Sequence, residues 1–155
     1  MKITIGIDKQ EADKLSKQLN ELLANYHVFY QNLRGFHWNI KGKEFFELHL
    51  KFEELYTDAV VKIDEIAERI LTLEGKPLHT MSDYTAKSKI KEVKNVTDGP
   101  TGLEHVVSNF QTLIAKEREI LKLSDKADDE GTNSQMSDYI TESEKVVWML
   151  NSYLK

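Results

Sequence analysis

The chain has 155 residues and no cysteine, which excludes disulfides, thiolate zinc sites and cysteine nucleophiles. Its 21 Lys and Arg against 26 Asp and Glu leave a net charge of −5, the wrong sign for a surface built to hold phosphate. No apolar run reaches the roughly 18 residues of a membrane span, and the opening MKITIGIDKQ lacks a signal peptide's apolar stretch, so one domain over residues 1–155 in the cytoplasm is expected.

Asp8 followed by Glu11 reads as a capping box. Leu15, Leu19, Leu22, Leu23, Tyr26, Phe29, Tyr30 and Leu33 then keep the helical period and predict a helix over 8–36. Gly42 lies in the break that follows. The second helix is expected over 44–73, with Phe45, Leu48, Phe52, Leu55, Ala59, Ile63, Ile66, Ile70 and Leu73 inward, Gly75 as its cap and Pro77 as its stop. The pattern weakens from 76 to 99, where a short helix is expected over 81–90. Pro100 and Thr101 start the next long helix, whose stripe runs from Leu103 to Leu121. The polar stretch 124–133 reads as a loop, and a last helix covers 134–153 with Met136, Tyr139, Ile140, Val147 and Leu150 inward. The class is therefore all-α: a four-helix bundle with a long crossover between its second and third long helices.

Five residues carry the chemistry: His37, His49, Glu53, Asp64 and Glu68. The last four lie at about 0°, 40°, 60° and 100° around the second helix, one continuous stripe. Imidazole mixed with carboxylate suits iron better than calcium or a closed zinc site. Each pair taken alone is also the pattern of ordinary solvated surface. Distance sharpens the reading: His49 and Asp64 are separated by about 22 Å at 1.5 Å per residue, while metal–ligand bonds are about 2 Å. One subunit cannot close such a site. Two copies of this helix paired antiparallel about a two-fold axis would bring His49 and Glu53 of one against Asp64 and Glu68 of the other, giving two identical sites.

The stretch RGFHWNIKGKEFFELHLKFEELY at 34–56, continued by DEIAERI at 64–70, resembles the Dps family (DNA protection during starvation), the mini-ferritins. EKVVWML around Trp148 extends the likeness toward the C-terminus. The resemblance implies a ferritin-like bundle assembled into a hollow shell of twelve subunits, a dodecamer. It makes His37, His49, Glu53, Asp64 and Glu68 the iron ligands of ferroxidase sites at two-fold interfaces. Position 53 is commonly Asp in the family, so Glu53 reaches one methylene further. The implied activity is oxidation of Fe(II), with hydrogen peroxide preferred over dioxygen, and storage of ferric oxide. Trp38 and Tyr56 are candidate acceptors of stray oxidising equivalents, and equally plain packing residues.

Asp125, Asp128, Asp129 and Glu130 concentrate negative charge, and Asp125 and Glu130 are the candidates for an acidic pore; Ser134 stands where the family often has a further acid. The chain starts MKITIGID and ends SYLK without a basic extension, and Lys9, Lys14 and Lys17 make at most a weak patch, so DNA binding near pH 7 is expected to be weak or absent. His27, His79 and His105 are expected to be structural or exposed. Two rivals remain. A conventional ferritin with an intrasubunit di-iron centre needs Glu-x-x-His, which no histidine here provides. A metal-free helical interaction or DNA-compacting protein would use the same stripe only as a dimer contact.

Overall fold

The first helix begins where Asp8 provides what helical carbonyls cannot: its carboxylate accepts from the N–H groups of Gln10 and Glu11. In the computed structural model, which describes residues 1–155, this helix, α1, spans Lys9–Asn39. It runs past the expected end at 36, so His37 and Trp38 sit in its last turn. The others are α2 (Phe45–Thr72), α3 (Met81–Lys87), α4 (Gly99–Lys126) and α5 (Glu130–Leu154). The fold is an all-helical four-helix bundle with a short helix in its crossover, and no helix is long and apolar enough to cross a membrane.

The end of α2 differs from expectation by one residue. Glu74, not Gly75, takes the left-handed conformation (φ 62°), and the N–H groups of Glu74 and Gly75 return to the carbonyls of Leu71 and Ile70. Glycine is needed at 75 for space: a Cβ there would lie 2.5 Å from Ser16 Oγ. The short helix also stops early, at Lys87, because Ser88 turns extended.

The predicted loop 124–133 is largely helical. Helix α4 continues to Lys126 and α5 starts at Glu130, leaving Ala127, Asp128 and Asp129 as the whole turn. Asp128 adopts φ 55°, and Asp129 caps α5 by accepting from the N–H of Thr132. Asp129 is buried and also takes Arg69 Nη2 of α2 at 2.6 Å, while Arg69 Nε donates to Thr132 Oγ1. The residues that made the segment look like a loop are thus the cap and ion pair that shorten it.

Helix α1 packs against both α2 and α4, and α4 against α5. Leu15, Leu19, Leu22, Phe29 and Leu33 meet Phe52, Ile66, Ile70, Leu103, Val106, Leu113 and Met136 in one apolar core. The apolar stripes read from the sequence face inward as their period requires. Gly102 lets α4 approach α2, since a Cβ there would come to 3.1 Å from the Phe52 ring.

The crossover from α2 to α4 has no helix-like ladder of its own for most of its length. Three asparagines on α1 replace it. Asn20 clamps Lys76 and Leu78, Asn25 Oδ1 accepts from Lys89 N at 2.8 Å and Ser88 Oγ at 3.1 Å, and Asn32 clamps Lys91 and Val93. Lys41 N then donates to Thr97 O beside the start of α4. The crossover therefore runs along α1 from one end of the bundle to the other. Asn25→Ala strips the acceptor from buried donors, and a loss of about 2–3 kcal/mol is expected in chemical denaturation. Exchange of the Lys89 amide in native protein should quicken with it.

Candidate metal centre

His37 and His49 face each other across the short link between α1 and α2, and each donates its Nδ1–H to the other's backbone carbonyl at 2.6 Å. A carbonyl only accepts, so both Nδ1 atoms carry the proton and both Nε2 atoms keep a lone pair for a metal. The rings stack 3.8 Å apart at 10°. His37 is buried, and its Nε2 lies 3.9 Å from Glu53 Oε1, which is half-exposed on the next turn of α2. The Tyr56 ring stands nearly perpendicular to His37 with centres 5.3 Å apart, and its hydroxyl approaches the same Glu53 oxygen at 3.5 Å. Phe45 lies flat on the outer face of His49.

Asp64 and Glu68 are both exposed, further along the unbroken α2. Their contact is repulsive when both are charged: hydrogen bonding to Asp64, then its charge, raises the Glu68 pKa. A cation between them would remove that repulsion. The subunit thus brings His37, His49 and Glu53 into one neighbourhood and keeps Asp64 and Glu68 in another. Nowhere in it do three or more His, Asp or Glu side chains come close enough to hold a metal ion.

The bundle interior offers no substitute centre of the intrasubunit kind. Lys62, which the sequence reading passed over, is buried with its ammonium on Asp58 and on Glu142 at 2.8 Å, above the Tyr139 ring. Glu117 is fully buried and accepts the Tyr26 hydroxyl at 2.8 Å, and the other buried carboxylate, Asp129, is held by Arg69. Lys62 falls on the apolar stripe of α2, three residues after Ala59 and four before Ile66, so the helical period does mark it as interior despite its charge.

The other candidates fall as follows. Trp38 is exposed, with the Arg34 guanidinium 4.7 Å from its ring centre. Asp125 and Glu130 are exposed at either side of the α4–α5 turn, whereas Asp129 is committed to Arg69. His27 stacks on Tyr84 at 3.7 Å, and burial lowers its pKa to about 4. His105 lies against Phe36, and His79 is exposed.

Four long helices, a lengthwise crossover and the His37–His49–Glu53 cluster at the α1–α2 link are the features of a ferritin-like helical protein. The family model of the ferritin-like domain matches residues 16–155. Within that class the chain belongs to the Dps family, the DNA protection during starvation proteins. It is 43 % identical over 148 residues to the DNA protection during starvation protein of Porphyromonas gingivalis, covering 96 % of this chain and 93 % of that one. The crystal structure of the Dps protein of Vibrio cholerae O1, described as a member of a broad superfamily of ferritin-like diiron-carboxylate proteins, is similar with a TM-score of 0.98. It shares 54 % identity, over 99 % of this chain and 97 % of that one. Dps from Bacillus brevis follows with a TM-score of 0.91 at 36 % identity, covering 94 % of this chain and 98 % of that one.

Proposed function

We propose that this chain is an iron-storage and detoxification protein, a ferroxidase whose Fe(II) substrate binds between two subunits. His37, His49 and Glu53 of one subunit and Asp64 and Glu68 of the partner subunit form the site, and two-fold pairing of α2 generates two such sites per interface. The observation that carries this reading is the reciprocal pair of Nδ1–H bonds, which leaves the Nε2 atoms of two stacked imidazoles free to bind, that of His37 3.9 Å from the Glu53 carboxylate. Nitrogen and carboxylate oxygen donors with open positions suit Fe(II) that must meet an oxidant.

Hydrogen peroxide is the oxidant in this scheme. Two Fe(II) ions each lose one electron, the O–O bond breaks, and two protons convert the products to water, so no hydroxyl radical is released. Ferric oxide accumulates inside a twelve-subunit shell, and the exposed Asp125 and Glu130 draw iron toward its entry. The relatives' name speaks of DNA protection. At a net charge of −5, the protection proposed here is chemical, by removing iron and peroxide, and not by coating DNA.

The test is anaerobic addition of Fe(II) to the apo-protein, followed by peroxide or air, with ferric absorbance recorded on an oligomer sized by light scattering. A twelve-subunit particle with a faster peroxide phase supports the proposal. A monomer, or an oligomer that neither binds Fe(II) nor speeds its oxidation, overturns it.

A further inference from the structure

Three rings form a column at the α1–α2 link: Phe45, His49 and His37. Phe45 and His49 are 4.9 Å apart at 15°, His49 and His37 are 3.8 Å apart at 10°, and Tyr56 stands nearly perpendicular to His37 at 5.3 Å. The two histidines hold each other only through Nδ1, which leaves each ring free to tilt about that bond unless its faces are blocked. His37 is blocked on one face by His49, with the perpendicular Tyr56 ring beside it. His49 has His37 on one face and only Phe45 on the other. Phe45 is itself fixed, packed partly buried against the core at the first turn of α2, with Phe46 edge-on at 5.5 Å.

We infer that Phe45 is the positioning residue of the metal site: its flat face sets the plane of the His49 ring and so the direction of the His49 Nε2 lone pair. It touches neither the metal nor the oxidant. The role needs a flat ring and not merely apolar volume, because a branched aliphatic side chain fills space without defining a plane. Outer partners that orient a metal-binding imidazole are worth about 10–100-fold in metal affinity.

This inference rests on the site proposed above, and Co(II) binding separates the two. Co(II) is titrated into assembled apo-protein of the wild type, Phe45→Tyr, Phe45→Leu and the Asp64→Ala/Glu68→Ala pair, and both affinity and the visible Co(II) bands are recorded. Wild type and Phe45→Tyr should bind alike, with the same bands. Phe45→Leu should bind at least about tenfold more weakly with shifted bands, while matching the wild type in thermal midpoint and particle size. If Phe45→Leu keeps wild-type affinity and bands while the Asp64/Glu68 pair loses binding, Phe45 has no positioning role and the site stands. If the Asp64/Glu68 pair binds Co(II) as wild type does, the site reading itself fails. Should Phe45→Leu not assemble, Phe45→Met is the substitute, with the same expected loss.

Discussion

Shells assembled from equal amounts of His37→Ala/His49→Ala subunits and Asp64→Ala/Glu68→Ala subunits are expected to recover about a quarter of the wild-type ferroxidase sites. Each variant alone should oxidise Fe(II) at least about tenfold more slowly than wild type, since it lacks donors in every site. In a random mixture half of the two-fold contacts join unlike subunits. Each such contact pairs the intact histidine half of one copy with the intact carboxylate half of the other, and its second site is doubly defective. The separation of His49 and Asp64 along the unbroken α2 is the physical ground for this arithmetic. Co-expressed subunits with distinguishable tags, purified through both tags and assayed with Fe(II) and peroxide, provide the measurement. Mixed particles of full size with no recovery would mean that the two halves never share an ion.

Glu117→Gln is expected to stabilise the protein by an amount on the order of 3 kcal/mol at pH 7–8 and by almost nothing near pH 4.5. Burial lifts the Glu117 pKa from 4.5 to about 8, with the Tyr26 hydroxyl bond and the Lys62 charge pulling the other way. Below about pH 4.5 the carboxyl is protonated in both the folded and the unfolded chain and adds no pH dependence. Between 4.5 and 8 the folded state keeps a proton that the unfolded state has released, so stability falls as pH rises, and above 8 the full penalty applies. Glutamine can still accept from Tyr26 and places its amide where Glu117 Oε1 now has no partner, so the comparison is even in unpaired atoms. Denaturant midpoints of the two proteins at pH 5 and pH 8 measure the effect. Curves that stay parallel across that range would contradict it.

The sequence announced the helices through short-range signals, and these survive in the fold. Asp8 caps α1 and the stripe from Leu48 to Ile70 faces inward because each depends on neighbours within a turn or two. The pattern from His37 to Glu68 was legible for the same reason, being mostly one helix face. What escaped notice depends on partners far along the chain. Asn25 and Asn32 look like ordinary polar positions until Ser88–Val93 lies against them. Asp129 reads as loop until Arg69 of α2 reaches it. Lys62 and Glu117 lie on the apolar stripes of α2 and α4, between Ala59 and Ile66 and between Leu113 and Ile120, but Glu142 and Tyr26, which meet them there, belong to other helices. Phe45 and His49 are neighbours by their i,i+4 spacing on α2, but the parallel stacking of their rings is an orientation that periodicity does not encode.

The mutual grip of His37 and His49 ties the end of α1 to the start of α2 with the same bonds that orient the donors. In the folded subunit those side chains have already surrendered their rotational freedom. At the site proposed above, an arriving ion would have little conformational entropy left to remove from this half, and more of the coordination energy would appear as affinity. The exposed Asp64 and Glu68 have no such restraint, so in the proposed site the ordering penalty of loading would fall on the partner's half.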